Sequence, residues 1–149
     1  MKTDPQEIFP RAITAVDEIA SIQVERAQKA KRENDLFDFL ASTVKWSKTY
    51  FSQQSTINGL HETIDIVMPL IQRIKDRFLV HYFGKIYHKA DELLAYMEEI
   101  KHEPGENIIR KHGDLDNVKK KFSHLFDELE RSLRDRIHLV ESEERKEAA

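Results

Sequence analysis

The fold is decided by residues 60–78, LHETIDIVMPLIQRIKDRF, in which apolar side chains recur in alternating steps of four and three. This spacing places them on one face of an α-helix. They are Leu60, Ile64, Val67, Ile71, Ile74 and Phe78. A second series of the same kind follows directly, displaced by one residue, and comprises Leu79, Phe83, Ile86, Ala90, Leu93, Met97 and Ile100.

Two interpretations fit these series: one long helix whose apolar seam shifts, or two helices that meet near Gly84. We favour one helix over residues 60–101, which would be roughly 60 Å long at about 1.5 Å per residue. Pro69 should kink this helix without ending it, because the apolar series continues in phase through the proline.

Helical spacing of apolar residues also predicts helices on both sides of this region. A first helix begins behind Asp4 or at Pro10, since Asp is a good helix cap and Pro is tolerated in the first helical turn. A second helix begins behind Asp35, and a last one begins after Gly113 with Asp114 or Asp116 as its cap. Between residues 60–101 and the last helix, Glu-Pro-Gly at 103–105 is a strong turn signal.

These elements predict an all-α fold, namely an antiparallel four-helix bundle with one long kinked helix. A short extra helical turn lies near Asn107. The 149 residues suit a single domain over 1–149. Residues 141–149 are charged and lack core side chains, so we expect a frayed tail there.

The amino-acid composition excludes several classes of function. The chain has no cysteine, which excludes disulfides and thiol chemistry, and its net charge of −3 gives no overall attraction to nucleic acid or anionic lipid. No apolar run suits a signal peptide or a membrane span, so we expect a cytoplasmic protein that does not bind membranes.

Residues 73–88, RIKDRFLVHYFGKIYH, combine cations, imidazoles and aromatic rings as no other segment does. Arg73, Arg77, His81, Lys85 and His88 are candidates for binding an anion or RNA, because Arg and Lys bind phosphate. His81 could act as an acid or base, and Arg77 could stabilise developing charge. A solvated helix face with core aromatics explains the same residues.

The string Asp76-Arg77-Phe-Leu-Val-His81 resembles the Arg-polar-x-x-x-His signature of HEPN domains, small all-α proteins of which many cleave or bind RNA. The Arg-to-His spacing here is shorter than in that signature, and Asp76 stands at the usual Arg position. The resemblance implies an RNA-binding or RNase-like bundle that acts through Arg77 and His81.

A metal-dependent helical enzyme is a third hypothesis, with His61, Asp65 and His88 as candidate ligands. His61 and Asp65 lie four residues apart, as ligands on one helix face do. The apolar series carry no carboxylates in the middle of the bundle, which argues against a buried di-metal centre. We expect no cofactor.

The second helix has more aromatic residues than one internal face needs. Phe37, Phe39, Trp46, Tyr50 and Phe51 could contact a second copy or a helical protein partner. The leading hypothesis is therefore a non-enzymatic interaction or regulatory protein that forms a homodimer. Burial of all five residues inside the bundle is the alternative.

Overall fold

The chain folds as a bundle of α-helices. A computed structural model describes residues 4–22, 30–78 and 80–148, with side chains described at 4–20, 34–78, 80, 83–104 and 106–137. Within these ranges there are six helices and no strand, which confirms the all-α helical bundle. The helices are α1 (Pro5–Ile22), α2 (Ala30–Ser52), α3 (Ile57–Arg77), α4 (Val80–His102), α5 (Gly105–His112) and α6 (Leu115–Ala148).

Short polar side chains start three of the helices. Asp4 precedes α1 and accepts a hydrogen bond from the Gln6 amide at 2.9 Å. At the start of α3 the Thr56 hydroxyl accepts a hydrogen bond from the Gly59 amide, and at the start of α6 the Asp114 carboxylate accepts one from the Asn117 amide. These bonds satisfy amides that have no partner inside the helix. Asp35, by contrast, lies within α2, which already begins at Ala30.

The junction between α3 and α4 corrects the sequence-based prediction of one long helix. α3 runs through Pro69 but ends at Arg77, and Phe78 has an extended backbone with φ −88° and ψ 105°. α4 then runs back along α3, since Lys101 Nζ lies 2.7 Å from Asp65 Oδ1 and Lys75 Nζ lies 2.9 Å from Asp91 Oδ1. The continuous helix over 60–101 is wrong, and the region is an antiparallel hairpin.

The one-residue displacement between the two apolar series explains this reversal. On a straight helix a shift of one residue rotates the apolar face by about 100°. One helix would therefore present its two halves to different neighbours. Folding back lets both series reach the same core, where residues such as Ile71 and Leu93 are fully buried.

The five long helices form a closed ring in which each has two main neighbours. α1 lies between α2 and α3, α4 lies between α3 and α6, and α6 returns to α2. A ring with an odd number of helices must contain a parallel pair, and this pair is α1 with α3. Accordingly Asp17, late in α1, contacts Arg73 and Arg77 near the end of α3.

Helix α5 agrees with the short helical turn predicted near Asn107, and α6 leaves the predicted fraying of the tail untested. α5 spans Gly105–His112, where the short helical turn near Asn107 was expected, and it ends at Gly113 with φ +86°, a conformation that favours glycine. The backbone of α6 is helical to Ala148. Fraying of residues 141–149 stays a prediction, because their side chains lie outside the described part. None of the helices described combines the length and apolar character needed to cross a bilayer.

Candidate functional site

The two arginines predicted to bind an anion share a carboxylate. Arg73 Nε lies 3.2 Å from Asp17 Oδ1, and its Nη2 donates to Oδ2 at 3.2 Å. Arg77 Nε lies 3.3 Å from the same Oδ1. All three side chains are partly exposed. The arginines thus join α3 to α1, and Asp17 offsets part of their positive charge.

The other members of the predicted anion site lie elsewhere. Lys85 is exposed and faces α6, where its Nζ is 3.9 Å from Asp135 Oδ2. His88 is exposed, with its ring edge-on to Tyr87. The side chains of His81 and Tyr82 lie outside the described residues. The arginines face α1 and Lys85 faces α6, so the described members of the set divide between two surfaces.

The aromatic residues of the same segment belong to the core. Phe78 and Phe83 are 1% and 4% exposed, and their ring centroids are 4.8 Å apart. Both rings also contact Phe37 from α2, at 6.0 and 6.1 Å. Their described role is therefore to pack the α3–α4 turn against α2.

The candidate metal ligands do not converge. His61 Nε2 lies 2.9 Å from the Ile100 carbonyl oxygen at the end of α4, and Asp65 pairs with Lys101. His88 is twelve residues before Ile100 on α4, which is about 18 Å along the helix axis. Across the described residues, no three side chains of His, Cys, Asp or Glu are grouped as a metal ion requires.

Ion pairs between α4 and α6 form a network that the sequence did not indicate. Glu128 Oε2 lies 2.9 Å from Lys89 Nζ, and its Oε1 lies 2.8 Å from His124 Nε2. The hydrogen bond from Lys89 lowers the pKa of Glu128, and the same bond raises the pKa of Lys89. A cleft of about 180 Å³ beside the network is lined by both cations and carboxylates, including Arg131 and Asp135.

A second polar cluster joins α5 to the bundle. Burial raises the pKa of Tyr96 to about 12, and Lys121 Nζ lies 4.5 Å from the centre of its ring. His112, the last residue of α5, meets the Tyr96 ring edge-on and places Nε2 3.4 Å from Glu99 Oε1. The His112 contacts fasten the short helix α5 to α4, and Lys121 joins α6 to α4 at the same ring.

The predicted interface residues separate into two groups. Phe37 and Phe51 are buried in this chain's own core, and Phe51 contacts Phe122 and Phe126 of α6. This corrects their assignment to an interface, because α6 and the α3–α4 turn already cover them. Phe39, Trp46 and Tyr50 are only half-buried and remain at the surface.

These three aromatic residues follow one stripe of α2 that borders α1. Trp46 stacks on Tyr50 with ring centroids 5.3 Å apart, and it contacts Phe9 of α1 at 5.8 Å. The Arg11 guanidinium lies 5.2 Å from the centre of the Phe39 ring. Aromatic and arginine side chains with exposed area are enriched at protein interfaces.

A groove of about 530 Å³ lies between α1 and α2 beside this stripe. Its walls include Arg11 and Phe39 at one end, and Glu18 and Asp35 at the other. We call the groove and its flanking aromatic residues the α1–α2 face: Arg11, Thr14, Glu18, Asp35, Phe39, Trp46 and Tyr50. Sequence reasoning missed Arg11 and Asp35, although Arg11, Thr14 and Glu18 do share one helix face by spacing.

Comparisons with protein-family models, curated proteins and solved structures found no match.

Proposed function

We propose that this protein is a non-enzymatic interaction or regulatory protein that forms a homodimer through the α1–α2 face. The supporting observation is the row of half-buried aromatic side chains on α2, with Arg11 beside it. The same helix buries Phe37 and Phe51 completely, so aromatic burial inside the bundle is possible where the fold requires it.

Residue type adds to this support. Trp, Tyr and Arg are the residues most often responsible for binding energy at protein interfaces. Trp46, Tyr50 and Arg11 meet that description and lie on adjacent helices. Covering the exposed parts of Phe39 and Trp46 would remove apolar area from water, which favours association at about 25 cal/mol per Å².

The polar side chains support a binding role over a catalytic one. Arg73 and Arg77 bridge two helices through Asp17, and Glu128 joins Lys89 to His124. Groups held in such pairs stabilise the positions of helices. We also propose a cytoplasmic location, which is the expectation from the sequence.

Sedimentation velocity tests the proposal over protein concentrations from about 1 µM to about 500 µM, which cover weak and moderate association. We expect a dimer that dissociates on dilution. Trp46→Ala should weaken the dimer at least about tenfold, as removal of an aromatic hot-spot residue from an interface does. The control is Tyr87→Ala, a half-buried aromatic on α4 away from this face, which should leave the dissociation constant unchanged. A wild-type monomer throughout would refute the proposal.

The RNA-binding hypothesis stays as the alternative, based on the resemblance around Arg77 and His81. Its support is reduced by the contact between Arg77 and Asp17. Fluorescence anisotropy with a labelled single-stranded RNA tests it directly. Binding that is lost in His81→Ala and retained in His88→Ala would favour it over the interaction hypothesis.

The metal-dependent hypothesis has less support, because His61 and Asp65 are each engaged with α4. Metal analysis of the purified protein, with thermal melts in the presence of divalent cations, would test it. Stoichiometric metal that is lost in His88→Ala would revive the hypothesis.

A further inference from the structure

The groove in the α1–α2 face carries opposite charge at its two ends. Arg11 lies at one end, over the ring of Phe39. Asp35 and Glu18 line the other end, about 10 Å away along α1. Both Arg11 and Asp35 are exposed, and within the described part of the chain neither forms an ion pair.

Opposite charge at the two ends makes the groove complementary to itself. A two-fold axis perpendicular to the groove exchanges its ends, so two copies related by that axis would place each cation over a carboxylate. Closed dimers of identical chains most often use such an axis, with the same patch on both partners.

We propose that the second copy docks groove to groove, with Arg11 of each copy paired to Asp35 of the other. This inference deepens the proposed homodimer and depends on it. The opposed charges favour this antiparallel register over the parallel one, in which Arg11 would face Arg11.

The middle of the groove allows the two α1 helices to approach closely. Ala15 lines its floor, and Thr14 is the exposed residue beside it. The Thr14 hydroxyl already donates to the Pro10 carbonyl at 3.0 Å. Covering Thr14 would therefore not leave an unbonded donor, and small side chains at this position keep the helix backbones accessible.

The size of the face predicts the strength of the dimer. The 18 residues of α1 extend over about 27 Å and two adjacent helices are about 20 Å wide, giving roughly 1,100 Å² buried over both copies. Interfaces of this size are at the lower limit for stable complexes. We therefore expect a dissociation constant in the micromolar range.

Charge reversal tests the pairing. Arg11→Glu makes both ends of the groove negative, and Asp35→Arg places a cation beside Glu18 at the acidic end, so that Arg11 of one copy would meet the introduced arginine of the other. Each variant alone should dimerise at least about tenfold more weakly than the wild type, because like charges would then be opposed. An equimolar mixture of the two variants should form a heterodimer, and the double variant R11E/D35R should recover wild-type association.

Matched controls reverse exposed charges away from the face, with Lys120→Glu on α6 and Glu62→Arg on α3. Both should dimerise as the wild type does. Far-ultraviolet circular dichroism and thermal melts identify any variant whose association changes because it has unfolded.

The outcomes separate this inference from the proposed function. A wild-type dimer that is insensitive to both reversals, or single variants that fail to recover on mixing, would overturn the Arg11–Asp35 pairing and leave the homodimer standing. A wild-type monomer at all concentrations would overturn both. If that monomer bound an amphipathic helix from another protein in this groove, the occupant would be a different partner.

Discussion

Phe78 gives the strongest test of the described fold, because a continuous helix over residues 60–101 would give it a different environment. It is 1% exposed, its extended backbone separates α3 from α4, and its ring contacts Phe83 at 4.8 Å and Phe37 at 6.0 Å. Phe78→Ala should lower the free energy of unfolding by about 3–5 kcal/mol, the usual cost of emptying a buried Phe site. The two ring contacts, at about 0.5–1.5 kcal/mol each, favour the upper half of this range.

A domain of this size has about 5–15 kcal/mol of stability in total, so the variant should remain folded but be clearly weakened. At roughly 2–4 °C per kcal/mol, we expect the melting temperature to fall by about 6–20 °C. Guanidinium unfolding followed by circular dichroism measures the change.

The matched control is Val80→Ala, two residues further along and 51% exposed, which should change stability by less than about 0.5 kcal/mol. A loss below about 1.5 kcal/mol for Phe78→Ala, or equal losses for the two variants, would refute the described packing.

Three further predictions address the hairpin and the polar clusters. Spin labels on Asp65→Cys and Lys101→Cys, in a chain without native cysteine, should be within about 20 Å in dipolar spectroscopy, whereas one continuous helix would separate them by about 54 Å. Glu128→Gln should lower the free energy of unfolding at pH 7. This difference from the wild type should disappear as the pH falls through the lowered pKa of Glu128, because a carboxylate with a depressed pKa adds to stability only while it is ionised. A difference that persists at acid pH would contradict this. In an alkaline titration followed at 295 nm, Tyr96 should ionise near pH 12, and Tyr96→Phe should remove its share of the absorbance change there; an absorbance change near pH 12 that is the same in both proteins would contradict the assignment.

Capping residues, turn residues and apolar spacing in the sequence were sufficient to predict where most of the helices lie. The caps at Asp4 and Asp114 follow from side chains that bond amides two or three residues away, so no distant contact is needed to predict them. The turn before α5 follows from Pro104 and Gly105 for the same reason. Asp35 is the exception, because α2 begins earlier than its best capping residue.

The candidate sites were harder to predict because they depend on contacts between distant residues. Arg73 and Asp17 are 56 positions apart, and only the parallel packing of α1 and α3 brings them together. Phe37 and Phe39 have the same residue type and are two positions apart on one helix. Helix geometry places them about 200° apart around α2, and tertiary packing decides which of the two faces meets the core.

By itself, the sequence determined the helical class, most helix boundaries and the residues that carry the two apolar series. These properties depend on side chains within a few positions of each other along one helix. The tertiary structure decided that the chain reverses between Phe78 and Phe83, that five long helices close into a ring, and that the α1–α2 face keeps aromatic side chains at the surface. Those outcomes depend on which apolar helix faces meet in the folded chain. A displacement of one residue between the two apolar series fits one long helix whose apolar face shifts, and it equally fits two helices joined by a turn. Packing against α2 and α6 selects the reversal, because it lets both series reach one core.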